Sequence, residues 1–142
     1  MNKDVLVKVK GMQFGDEHSD EIEVICSGTY YNKNGKHYVK YEEVMEGVGS
    51  VTNMLKINNA GEKSVVEIRK HGSVSSLFIF ERGLNHLSCY ETEFGSFSLG
   101  LMANGINVRE CDDEINVHID YSLEMNQEHL SDNEIEIVIT SK

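Results

Sequence analysis

Apolar side chains occupy every second position at Val5, Val7 and Val9, with Lys8 and Lys10 beside them. A repeat of two sends alternate side chains to opposite faces of an extended chain, so 5–9 predicts a strand with one buried face. The pattern loosens through 11–20, where 15–20 is polar and turn-rich. It resumes at Ile22, Val24, Cys26 and Gly28 as a second strand leading to Tyr30. Residues 30–43 predict a hairpin, because Tyr30, Tyr31, Tyr38, Val39 and Tyr41 suit a pleated surface and flank Asn32-Lys33-Asn34-Gly35. That turn sequence favours a type I turn over 32–34 with Gly35 as the left-handed bulge residue.

Further strand-like runs follow at 51–57, 65–70, 76–82, 87–92 and 97–103, divided by glycine- and asparagine-rich turns at 47–49, 58–61, 71–73, 83–85 and Gly95. Gly105 falls where a bulge would bend the strand that precedes it. Ile115, Val117, Ile119, Tyr121 and Leu123 then alternate without a fault against Asn116, His118, Asp120 and Ser122. Residues 125–132 read as a polar connection with room for one short helical turn, and Ile135, Ile137 and Ile139 form a last strand. Short strands in regular succession, with loops too short for parallel crossovers, predict an all-β fold: an antiparallel meander β-barrel of about 8–10 strands. No repeat and no low-complexity linker divides the chain, so residues 1–142 read as a single domain.

The hairpin carries a conflict. In the register set by a turn centred on 32–35, Tyr30 faces Tyr38 and Cys26 faces Glu42, which turns Tyr38, Lys40 and Glu42 to the side that Ile22, Val24 and Cys26 bury. Either a bulge rotates Val39, Tyr41 and Met45 inward, or Lys40 and Glu42 enter the interior and must find partners there. On the second alternative Tyr38, Lys40, Glu42, Arg69 and Tyr121 are the candidate ligand-binding residues, with Arg69 as an anion clamp.

Composition narrows the function classes. The net charge is -11, from 24 acidic against 13 basic residues; such a surface repels phosphate backbones and anionic lipid heads, so neither nucleic acid nor a membrane is expected as partner. The first residues lack the apolar core of a signal peptide and no run reaches the length of a membrane span, which makes a cytoplasmic location the expectation. Cys26, Cys89 and Cys111 are widely spaced and odd in number, as free thiols in a reducing compartment would be. The six histidines are scattered, Asp16-Glu17 and Asp112-Asp113-Glu114 match no cation-loop spacing, and no nucleophile elbow or phosphate loop occurs. Neither a metal, a cofactor nor a catalytic residue is therefore assigned from motifs.

In order along the chain, Tyr30-Tyr31-x-Lys33-x-Gly35, Tyr41-Glu42-Glu43, Thr52 with Leu55-Lys56-Ile57, Val66-x-Ile68-Arg69, Phe80-Glu81-x-Gly83, Tyr90-x-Thr92 with Gly95, and Ile119-x-Tyr121-x-Leu123 resemble the YwiB-like family of small bacterial proteins. The resemblance implies a calycin-type, lipocalin-like barrel and, by analogy, a cavity for a small molecule. It brings no catalytic residue, because the family is a domain of unknown function. His37 departs from the family pattern, which often has an aromatic residue before Tyr38. Three readings follow in order: a small-molecule-binding barrel walled by Val5, Val7, Val117, Ile119 and Ile137; an interaction module with a filled core that docks a protein partner; and an enzyme with its site at the barrel mouth, for which Glu42, Glu43, Arg69 and Tyr121 are the acid–base candidates.

Overall fold

The computed structural model describes residues 1–15, 18–45, 47 and 49–142, the side chains of 12–15, 18–21 and 45 excepted. Its strands are β1 (Asp4–Gly15), β2 (His18–Lys33), β3 (Lys36–Met45), β4 (Gly49–Asn58), β5 (Val65–Gly72), β6 (Ser76–Glu81), β7 (Asn85–Thr92), β8 (Gly95–Glu110), β9 (Glu114–Met125) and β10 (Glu128–Ser141), with one 3-10 turn at Gly61–Lys63. They form a 10-stranded sheet in the order β6-β5-β4-β3-β2-β1-β10-β9-β8-β7, antiparallel throughout. Strand-to-strand succession is that of a meander, as the loop lengths predict. The first and last strands pair along most of their length, from Val5 with Ser141 to Phe14 with Asp132, so the seam lies in mid-chain, between β6 and β7.

That seam is tacked at one end to β7 and at the other to β8. Ser75 and Glu91 exchange backbone hydrogen bonds of 3.0 and 2.8 Å, and Gly83 N–H donates to the Ala103 carbonyl at 3.0 Å. Between the tacks β6 and β7 share no ladder, which leaves an almost closed barrel with a slot in its wall.

Strand extents exceed the expectation at several points. β1 and β2 pair as far as Gly15 with His18, so the polar run 11–20 is strand on either side of Asp16 and Glu17, which lie outside the described residues, as do Glu46 and, within the turn expected at 47–49, Val48. Residues 125–132 contain no helical turn: Asn126 and Gln127 have φ of 53° and 68° and form a two-residue hairpin loop between β9 and β10. Gly105 does mark a bulge, a register shift against β9 between Ala103 and Gly105.

The opening hairpin is also corrected. Lys33 pairs with Lys36 and Tyr31 with Tyr38, and Asn34 and Gly35 have φ of 55° and 77°. Two left-handed residues make the mirror-image turn whose twist matches that of the strands, and Asn-Gly is the dipeptide that tolerates it best. The loop is one residue tighter than a bulged type I turn, and this alone moves every partner on β3 by one. Tyr30 now faces Val39 and Gly28 faces Tyr41, which puts Val39 and Tyr41 inside without a bulge and leaves Lys40 and Glu42 exposed outside. The expected conflict was a consequence of the wrong turn.

Inside, Val5, Val7, Val39, Leu55, Ile57, Val66, Ile68, Phe80, Leu101, Val117, Ile119, Ile137 and Ile139 form one core. Each such side chain contributes about 1.5–3 kcal/mol relative to an exposed one, so the middle of the barrel is held by apolar packing. Among the described residues the buried polar side chains are His37, Asn53, Ser64, Ser76, Ser88 and Ser131.

Candidate functional site

At one end, three strands send polar side chains inward. Glu43 of β3, Asn53 of β4 and Lys70 of β5 lie on the buried faces of their strands, in register with Tyr41, Leu55 and Ile68. Lys70 Nζ donates to Asn53 Oδ1 at 2.8 Å and to Glu43 Oε1 at 3.1 Å, and Asn53 Nδ2 donates to the same Glu43 oxygen at 3.1 Å. Asn53 is fully buried. A closed network of this kind meets the rule that buried charge must be paired and hydrogen-bonded.

Neighbouring groups feel it. Burial pushes the Tyr41 phenol well above its usual range, and the Glu43 carboxylate adds to the shift. Tyr90 is raised for the same two reasons in the same order. The Cys26 thiol is raised by burial and then by Glu43, with Lys70 opposing. These three side chains therefore stay protonated at neutral pH, and Cys26 is a poor nucleophile.

Next to the network is the slot. Ser76 of β6 stands opposite Lys70 on the β5–β6 ladder, and Ser88 projects from β7. Ser76 and Ser88 are 7% and 8% exposed, and the hydroxyl oxygens of both are buried with no hydrogen-bond partner among the described residues. Both line a cleft of about 460 Å³ between the unpaired edges of β6 and β7, together with Lys70, Arg69, Leu77 and Leu87. Phe78 and Tyr90 stack at 6.0 Å and join the two strands. Buried hydroxyls normally find partners, so two that lack them on one cleft set this part of the wall apart.

The opposite end is shut by a chain of hydrogen bonds. The Tyr30 hydroxyl lies 2.7 Å from His37 Nδ1, His37 Nε2 lies 2.7 Å from Glu110 Oε1, and Asn59 Nδ2 donates to Glu110 Oε2 at 2.6 Å. With Nε2–H donating to the carboxylate, Nδ1 accepts from tyrosine. The Asn59 amide, more than His37, holds the Glu110 carboxyl below its ordinary value, with burial opposing. Hydroxyl, imidazole and carboxylate follow one another here as they do in nucleophilic catalysis. Both imidazole nitrogens are nevertheless committed, and the chain ties the β2–β3 hairpin to the end of β8. His37 serves as the bolt of this closure.

The five residues expected to bind ligand do not come together. Lys40 and Glu42 are exposed and line an open outer groove with Ser27 and Lys142, where Lys142 Nζ donates to Ser27 Oγ at 2.6 Å. Tyr38 lies on the outer face, stacked on Tyr31 at 5.0 Å with Lys56 over its ring. Arg69 is exposed but lines the slot. Tyr121 points inward, half-buried, edge-on to Phe80 at 5.0 Å. Val5, Val7, Val117, Ile119 and Ile137, expected as walls of a ligand cavity, pack into the common core instead. Asn53, Lys70, Ser76 and Ser88 are not among the residues expected from the sequence, although a signal exists for the first two. Asn53 interrupts the apolar frame of Val51, Leu55 and Ile57, and Lys70 ends that of Val66 and Ile68.

Residues 7–137 match the family described as a domain of unknown function, DUF1934. The chain belongs to the DUF1934 family. Among solved structures, the crystal structure of ywiB protein from Bacillus subtilis superposes with a TM-score of 0.85 at 21% sequence identity, covering 99% of this chain and 92% of that one. The YwiB-like resemblance read from the ordered motifs is thus shown, and the antiparallel meander barrel with it. No curated protein matches the chain. Among the described residues of this DUF1934 member, no helix is long and apolar enough to cross a membrane.

Proposed function

We propose that this barrel binds a small polar molecule at the slot between β6 and β7. The bound molecule supplies partners to the Ser76 and Ser88 hydroxyls and reaches the Glu43–Asn53–Lys70 network behind them. The observation that carries this reading is the pair of buried, unpartnered hydroxyls on one cleft; the outer groove at Lys40 and Glu42 has solvent to satisfy its polar groups and offers no such demand. The apolar stretch of Leu77, Ile79 and Leu87 along the slot would cover the ligand's less polar side. Three free cysteines support a reducing compartment such as the cytoplasm.

Native mass spectrometry of the full chain, purified without denaturation, tests for a retained adduct. Thermal shift against acetate, succinate and glycerol at millimolar concentration tests for exchangeable binding. An adduct or shift in the wild type that is lost in the Ser76→Val/Ser88→Val double variant supports the proposal. Absence of both, or equal binding by the double variant, overturns it.

A further inference from the structure

A second constellation stands on the outer wall, remote in kind from the slot. His118 and Asp120 are two residues apart on β9 and so share its outward face, while Glu134 of β10 faces Asp120 directly across the ladder. His118 Nε2 is hydrogen-bonded to Glu134, and its Nδ1 lies 4.0 Å from Asp120 Oδ2. One ligand atom from each of the three residues lies within 4.8 Å of the other two. The sequence separates these residues, and only the pairing of β9 with β10 brings the imidazole to both carboxylates.

Apart from the His118 imidazole, which lies against both carboxylates, strand pairing works against this arrangement. Like charges placed directly opposite in an antiparallel pair destabilise it, and Asp120 and Glu134 are such a pair in a chain whose net charge is already -11. A cation between them reverses the sign of that contact. The donor set also selects the cation. One imidazole nitrogen and two carboxylate oxygens suit first-row divalent ions, whereas calcium seeks six or more oxygens and magnesium keeps most of its water. Three protein ligands with the remaining positions left to water is the pattern of an open zinc site. The His118, Asp120 and Glu134 side chains are 37%, 55% and 32% exposed, which leaves them room to close to the ligand spacing of about 3 Å that metal–ligand bonds of about 2 Å require.

We propose that His118, Asp120 and Glu134 form a surface site for a first-row divalent transition-metal ion, with Zn²⁺ as the representative. The next ladder pair, Ser122 with Asp132, carries a separate hydrogen-bonded contact, His129 Nε2 to Asp132 Oδ1 at 3.0 Å, and provides an internal control.

The experiment uses the full chain without an affinity tag. Zn²⁺ is titrated calorimetrically in excess Mg²⁺, and Co²⁺ is followed by its visible absorption. One equivalent should bind, about tenfold or more weakly in His118→Asn and unchanged in His129→Asn. Asp120→Asn should be at least as stable as wild type in chelator, because the like-charge contact is gone, yet lose the rise in Tm that Zn²⁺ gives the wild type. Zn²⁺ binding no tighter than Mg²⁺, or undiminished binding by His118→Asn, overturns the proposal and leaves the His118–Glu134 hydrogen bond as a structural contact of the β9–β10 ladder.

Discussion

Replacing Ser76 or Ser88 by alanine should stabilise the ligand-free protein. Each hydroxyl is buried without a partner, and such a group costs about 1–3 kcal/mol in lost hydration. Alanine removes the oxygen and little else, so about 1 kcal/mol should be regained at each site. Alanine is itself disfavoured in strands, on a scale that spans about 1 kcal/mol. Ser98→Ala, at an exposed position of β8, calibrates that cost, and the prediction concerns the difference between buried and exposed sites. With an unfolding entropy of about 2.1 cal/mol/K per residue, the whole chain gives about 0.3 kcal/mol/K, and 1 kcal/mol corresponds to about 3 °C in Tm. The assay is urea and thermal unfolding of protein refolded from denaturant to free it of any retained ligand. A loss of about 1 kcal/mol or more relative to Ser98→Ala at either position would show that its hydroxyl is already satisfied, and the slot would lose its claim to a ligand.

Lys70→Met should destabilise by about 2 kcal/mol, less than the 3–5 kcal/mol of a fully buried pair because Lys70 and Glu43 side chains keep 20% and 15% exposure. The Glu43→Gln/Lys70→Met double variant should recover much of this in urea unfolding, and a double variant no better than Lys70→Met would contradict the pairing argument. Acid should weaken the closed end of the barrel. Since the Glu110 carboxyl is held below its ordinary 4.5, the folded state binds its proton less readily than the unfolded one, so the stabilisation is full above about that pH and fades as pH falls through the lower folded value. Urea midpoints between pH 6 and pH 3 should fall further for wild type than for Glu110→Gln, the curves converging in acid; parallel curves would refute the assignment.

Alternation alone identified strands and predicted a meander barrel, because the period of two is a property of the backbone and needs no partner to be read. The same rule could not choose between a two-residue and a longer loop at Asn34-Gly35, and that choice decided which face of β3 points inward. A shift of one residue exchanges every side chain between core and solvent, so Lys40 and Glu42 left the interior and Val39 and Tyr41 entered it. Asn53 and Lys70 were legible as polar residues in an apolar frame; that they meet Glu43 was not, since it depends on three strands arriving side by side. Ser76 and Ser88 carry no signal in the chain at all. Their significance comes from the seam between β6 and β7, where the sheet ends and two edges face each other. Likewise His118, Asp120 and Glu134 are unremarkable until β9 pairs with β10. Local periodicity determined the elements of this protein, and non-local strand register decided which of their polar groups are buried, paired or left waiting for a partner.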